Sequence, residues 1–337
     1  MTDERRPVVA RVLVVALVAA VVAVGQRLSD DSRGSAVSVG RSAGEEAGPI
    51  PGPAPVPEPV PQPSRGRGDL DAYTGPGTWV DVFDFHPPHS NGEPTVTPAD
   101  VDRMAAAGVR TIYLQSARPE DPAAPGDLID PGLLGRFLAR AHAKGMKVVA
   151  WYLPHLSNLD DDMRHITATL EFSAGGHRFD GFGLDIEWRA AVPDHAARST
   201  QLVELSRRIR DAAGDRAVSA IVLPPIVTDV INPAFWPGFP WAAIAPYYDV
   251  WLPMGYWTNR TTSSGWRDAN RYTVENVRLL RQHVGDVPIH AIGGIGDAAS
   301  TDDYEEFARV CSEEGLLGCS VYDWATSGAS PLPVLRR

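Results

Sequence analysis

The sequence predicts an α/β chain closed as a (β/α)8 barrel, the TIM-barrel architecture, behind an N-terminal hydrophobic segment and a linker. Two observations carry this expectation. Short β-branched or aromatic runs recur eight times from residue 79 onward, starting 31 to 39 residues apart, with a helical pattern between them. Eight such units in about 260 residues match the count and size of the barrel. A doubly wound open sheet is the competitor, but it would usually carry a glycine-rich phosphate loop after its first strand. FDFHPPHSNGEP at 83–94 is not one.

The chain opens on residues 1–28, where Arg5, Arg6 and Arg11 precede an uncharged apolar run from Val12 to Gly25. This is the layout of a signal peptide or a signal anchor, so the remainder is expected outside the cell or at its surface, with residues 8–25 as a membrane tether if retained. Residues 29–77 are rich in Ser, Gly and Pro, a composition that gives an extended spacer rather than a core. The barrel is assigned to 78–337. A formal net charge of -11 without a basic stripe argues against a nucleic-acid partner.

The expected strands are 79–85, 110–117, 147–154, 179–188, 217–225, 248–257, 287–296 and 318–327. Thr97-Pro98 and Asp130-Pro131 read as helix N-caps with proline following, and Gly108, Gly145, Gly214 and Gly315 as stops. Leu133, Leu134, Phe137, Leu138 and Ala141 recur at helical spacing. After the eighth strand only GASPLPVLRR is left, too short for a full final helix. Either the barrel closes without one, or residues before Trp79 cover the gap. Cys311 and Cys319 could pair in an exported protein or remain buried thiols.

Residues 179–188, FDGFGLDIEW, place Asp185 and Glu187 on one face of a strand, near its C-terminal end and about 6.6 Å apart. With Gly183 they point into the barrel, while Phe182, Leu184, Ile186 and Trp188 face the helices. Barrel enzymes keep their chemistry at that end, and buried carboxylates are costly unless used or paired.

The stretch DGFGLDIE resembles the DxxDxDxE signature of glycoside hydrolase family eighteen, the chitinases and endo-N-acetylglucosaminidases. Asp180, Asp185 and Glu187 match, and Gly183 stands where the family has its inner Asp. MGYW at 254–257 is similar to the family's M-x-Y-D/N through Met254 and Tyr256, with Trp257 replacing the acid or amide. YDWATS at 322–327 sets Trp324 where the family keeps an aromatic floor for the sugar. The resemblance implies a retaining, substrate-assisted glycosidase acting on N-acetylhexosamine-containing glycans. In that scheme Glu187 is the acid/base, Asp185 orients the acetamido group, and Tyr256 hydrogen-bonds it. The Gly183 departure puts the tuning of the two acids in question.

Further candidates for substrate contact are Asp180, Met254, Asp84 and Trp151. Asp81 and Asp84 fall on opposite faces of the expected first strand, so at most one joins the site. Asp323 should face away from Trp324 and serve a structural hydrogen bond. His86 and His89 lack a matched third ligand, so no metal is expected, nor any cofactor. Gly293, Gly294 and Gly296 suit a tight turn as well as a ligand approach, and Asn259-Arg260-Thr261 fits a glycosylation sequon. A monomer is expected. The rival readings are a non-catalytic carbohydrate-binding barrel and a hydrolase of another barrel family, such as the family twenty-five muramidases.

Overall fold

The computed structural model describes residues 69–119 and 121–336. The expectations for residues 1–28 and for most of the linker lie outside these residues. Residues 69–77, assigned to the linker, are folded: a 3-10 turn at Asp71–Tyr73 leads into the first strand at Gly75.

Eight strands are present, β1 (Gly75–Val80), β2 (Thr111–Gln115), β3 (Lys147–Tyr152), β4 (Gly181–Ile186), β5 (Val218–Val222), β6 (Val250–Pro253), β7 (His290–Ile295) and β8 (Gly318–Tyr322). They pair in parallel in the order β6-β5-β4-β3-β2-β1-β8-β7, and bridges from Trp251 to Ile289 and from Met254 to Ile292 close the circle. The fold is therefore the (β/α)8 barrel that the period of the sequence predicts.

The helices are α1 (Val82–Phe85), α2 (Asp100–Ala107), α3 (Pro131–Ala143), α4 (Leu159–Glu171), α5 (His195–Ala213), α6 (Trp241–Ile244), α7 (Ala269–Val284), α8 (Thr301–Glu313), α9 (Trp324–Ser327) and α10 (Leu332–Leu335). Asp130 caps α3, its side chain accepting from the Leu133 N–H at 2.8 Å with Pro131 at the first position. Thr97 does not cap α2 directly. Its N–H and hydroxyl donate to Asp100, at 2.7 and 3.0 Å, and the helix begins there. Gly108 ends α2 with φ of 90°, a conformation glycine adopts without a Cβ clash. Among the described residues no helix is long and apolar enough to cross a membrane.

The barrel closes without a full last helix: the short α9 and α10 that follow β8 cover the seam, while the residues before Trp79 lie at the N-terminal mouth instead. Trp324 and Leu332, from α9 and α10, join Val80, Phe85, Met104 and Phe137 in one buried cluster over the seam. Tyr73 meanwhile plugs the N-terminal mouth. It is fully buried, and its hydroxyl donates to the Phe182 carbonyl at 3.1 Å. Inside the barrel Trp79 stacks on Tyr113 at 4.4 Å and donates its indole N–H to Ser320 at 2.9 Å. Cys311 and Cys319 form a disulfide that ties α8 to β8.

Candidate active site

Parallel register sets which side chains share the barrel interior. Trp151 on β3 pairs with Gly183 on β4, and Gly183 with Ser219 on β5, while Asp185 pairs with Ile221. These positions form successive inward layers, with Glu187 just past the end of β4. Asp185 and Glu187 thus stand at the C-terminal rim, the end that carries the chemistry in barrel enzymes.

Side chains of β5 crowd the position where the inner acid would stand. A Cβ at residue 183 would lie 2.8 Å from Ile221 Cδ1 and 2.9 Å from Ser219 Oγ. The volume that an aspartate would need is occupied by β5. Asp185 consequently has Glu187, rather than a residue beneath it, as its acidic neighbour.

Asp185 is 8% exposed, and its Oδ1 is buried without a hydrogen-bond partner among the described residues. Burial first, then the charge of Glu187, pushes its carboxyl well above the usual range. Glu187 is half-buried, and burial raises it to about 7. Two acids held this way can keep a proton near neutral pH, which is the requirement for a general acid.

Tyr256 lies just beyond β6 and is 7% exposed. Burial raises its hydroxyl far above 10, and Glu187, Asp185, Asp323 and Asp81 add to the shift in that order. The shared field places this phenol among all four carboxylates and keeps it a neutral donor. Its ring meets Tyr322 edge-on at 5.9 Å, and the Tyr322 hydroxyl donates to Asp81 at 2.6 Å. Tyr322 was not singled out from the sequence, although its alternation with Ser320 on β8 could have found it.

Several expected site residues stand elsewhere. Asp180 precedes β4 at the opposite mouth, about 23 Å along the strand from Glu187. There it accepts from His142 Nε2 at 2.9 Å and the Val148 N–H at 2.8 Å and pairs with Lys147 at 3.4 Å. Trp324 belongs to the hydrophobic seam, because the chain turns into α9 before the side chain could reach inward. The inward aromatic of the eighth strand is Tyr322. Met254 is 3% exposed and helps close the wall, its N–H bonded to the Val222 carbonyl at 3.0 Å. Trp151 is inward but buried, edge-on to Trp79 at 6.1 Å, with an unpartnered indole N–H. Trp257 is buried outside the interior against Phe307, as alternation predicts.

The first strand ends at Val80, earlier than expected, so alternation does not separate Asp81 from Asp84. Asp81 is instead the N-cap of α1 and Asp84 its third residue, and the two form a reciprocal capping box. Asp323 caps α9, accepting from the Thr326 N–H at 2.8 Å. Asp81, Asp84 and Asp323 are all buried, and one oxygen from each lies within 4.8 Å of the others, a geometry that could hold a cation. Backbone caps and Tyr322 already occupy oxygens of Asp81 and Asp323. Burial, then Asp81, raises Asp323 to about 6, and burial raises Asp81, so the pair can share a proton.

No family model matches the chain, and no curated protein does. Solved structures are similar in fold. A GH18 chitinase from Pseudoalteromonas aurantia aligns at TM-score 0.55 with 14% identity, covering 77% of this chain and 98% of its own. A family GH18 chitinase from Cycas revoluta, in complex with allosamidin, aligns at 0.53 with 12% identity, covering 78% and 98%. An endo-1,4-beta-mannanase from Rhizomucor miehei aligns at 0.54 with 11% identity, covering 74% and 85%. At these identities the likeness is one of fold, and function has to be argued from the site.

Proposed function

We propose that the chain is a glycosidase that cleaves N-acetylhexosamine-containing glycans with retention, by substrate assistance, outside the cell or at its surface. The observation that carries this reading is the Asp185–Glu187 pair at the C-terminal rim of β4, with Glu187 raised to about 7 and Tyr256 beside both. Glu187 gives its proton to the glycosidic oxygen as the bond to the anomeric carbon breaks. The substrate's acetamido oxygen attacks that carbon, and an oxazolinium forms. Asp185 and the Tyr256 hydroxyl hold the acetamido group in place. Water then adds to the anomeric carbon, Glu187 takes its proton, and the double inversion gives retention. The resemblance of DGFGLDIE at 180–187 to the chitinase signature supports the substrate class, and the basic, apolar N-terminus supports export.

One observation favours a second reading, a carbohydrate-binding barrel without turnover. Position 183 carries glycine where the chitinase signature has an acid beside Asp185, and the side chains of Ile221 and Ser219 crowd that place. Full-length protein incubated with chitooligosaccharides and peptidoglycan fragments, beside Glu187→Gln, decides between them when the products are read by mass spectrometry. Cleavage lost in the variant supports the hydrolase, and its dependence on a 2-acetamido group separates substrate assistance from attack by a carboxylate or water. Saturable binding of intact glycan supports the lectin.

A further inference from the structure

Immediately past Glu187 the chain places two arginines that no acid neutralises. Arg189 follows Glu187 by two residues, so their Cα atoms are at most about 7 Å apart. Its guanidinium lies 3.7 Å over the Phe235 ring and donates to the Phe235 carbonyl at 3.2 Å. Arg198, near the start of α5, lies 4.0 Å over Trp236 and donates to the Val192 carbonyl at 2.9 Å. Arg198 is 1% exposed, yet its Nε and one terminal nitrogen have no partner, and Arg189 Nε is also buried and unpartnered. Neither arginine makes an ion pair among the described residues. Buried Arg210, by contrast, meets Asp249 at 2.7 Å and two carbonyls besides.

Isolated buried cations are unfavourable unless something compensates them. Aromatic faces and single carbonyls do so only in part here, and the two cations also act on one another: burial, then the charge of Arg189, lowers Arg198. Asp194, the acid nearest in its field, is exposed and caps α5 through the Ala197 N–H at 2.7 Å.

We propose that Arg189 and Arg198 form an anion subsite at the rim beyond Glu187, which takes the carboxylate of an acidic sugar in the bound glycan. Half-buried Arg189 makes the contact, and Arg198 supplies a second positive charge behind it. A planar carboxylate matches the guanidinium fork of half-buried Arg189, and the charge of Arg198 behind it adds to the attraction. The inference rests on the glycan-cleaving reading and narrows its substrate to acidic glycans.

The test titrates full-length protein carrying Glu187→Gln with three tetrasaccharides by calorimetry. These are neutral chitotetraose, the alternating N-acetylglucosamine and N-acetylmuramic acid tetrasaccharide, and the hyaluronan tetrasaccharide. An acidic probe should bind about tenfold tighter than chitotetraose, the size expected of a charge-assisted pair. Adding Arg189→Gln should remove that advantage, and Arg189→Lys should keep part of it. Preference for the muramic probe assigns a lactyl carboxylate, and preference for hyaluronan a uronate. Equal affinities for all three, or a preference that survives Arg189→Gln, overturn the subsite and leave the glycan reading standing. Should no tetrasaccharide bind, sodium glucuronate is the probe, read by melting temperature. A rise lost in Arg189→Gln keeps the anion site while the glycosidase reading fails, and no rise overturns the site.

Discussion

Restoring the inner acid should harm the protein before it can help any reaction. In Gly183→Asp the new Cβ meets Ile221 Cδ1 at 2.8 Å and Ser219 Oγ at 2.9 Å, both closer than ordinary contact. Overpacking of this kind costs about 1–3 kcal/mol. The carboxyl beyond that Cβ enters an interior beside Asp185, and Ser219 already donates to the Phe182 carbonyl at 3.2 Å. An unsatisfied buried polar group adds about 1–3 kcal/mol. Urea denaturation should therefore show a loss of about 2–6 kcal/mol. Ile221→Ala alone should cost about 2–5 kcal/mol, yet the double variant should lose at least about 1 kcal/mol less than the two costs together, because the shortened side chain vacates the clash. Strict additivity, or a Gly183→Asp protein as stable as the parent, would refute the steric account.

Five further outcomes follow from the same structure. With Glu187 raised to about 7 as the acid, kcat/KM should fall as pH rises through that value. The same group makes stability decline between its unfolded value near 4.5 and about 7, since the native state binds the extra proton there. Denaturation across that range should show a loss of at most roughly 3 kcal/mol, lessened by the partial exposure of Glu187. Tyr322→Phe removes the 2.6 Å hydrogen bond to buried Asp81 and should cost about 1–3 kcal/mol in denaturation while weakening glycan binding. Asp180→Ala should destabilise by a similar amount yet leave KM unchanged in steady-state assays, because its partners are at the far mouth. Cys311→Ser with Cys319→Ser opens a short loop and should lower stability by about 2.5 kcal/mol in the chain-entropy account, seen as an earlier urea midpoint.

The barrel was legible because its signals are local and repeated. Period-two runs, caps such as Asp130-Pro131 and the spacing of Leu133, Phe137 and Leu138 all agree with the architecture. Asp185 and Glu187 were legible for a related reason: within a strand, alternation fixes the face. The failures fall where a strand ends. Alternation carried past Val80 separates Asp81 from Asp84, but the chain becomes helical at Val82 and brings the two together. Extrapolation past Tyr322 aims Trp324 inward, whereas Asp323 caps a helix that sends it to the seam. Asp180 failed differently. Its spacing matches a motif, but seven residues of extended chain put it at the opposite mouth, where its neighbours are His142 and Lys147. The filling of position 183 depends on Ile221 and Ser219, from a strand that begins 35 residues later, and no local pattern announces such a contact.

The rim of this barrel is best understood as a site that holds protons rather than charge. Burial raises Glu187 and Asp81, burial and then a neighbouring carboxylate raise Asp185 and Asp323, and Tyr256 stays a neutral phenol among them. With Asp185 raised well above the usual range and Glu187 to about 7, that part of the floor offers O–H donors near neutral pH, whereas Asp323, raised only to about 6, is largely ionised there. Arg189, two residues past Glu187, and Arg198 are cations without an ion pair among the described residues, held over Phe235 and Trp236. On the proposed reading, a glycan with a neutral acetamido sugar over Asp185 and Tyr256 and an acidic sugar beside Arg189 would meet complementary groups at both positions. A neutral polymer satisfies only the first. On the proposed reading the protonation of Asp185 and the arginine pair favour the same ligand: an ionised Asp185 would weaken the attraction of the arginines, and without the arginines a protonated floor would not distinguish acidic from neutral sugars.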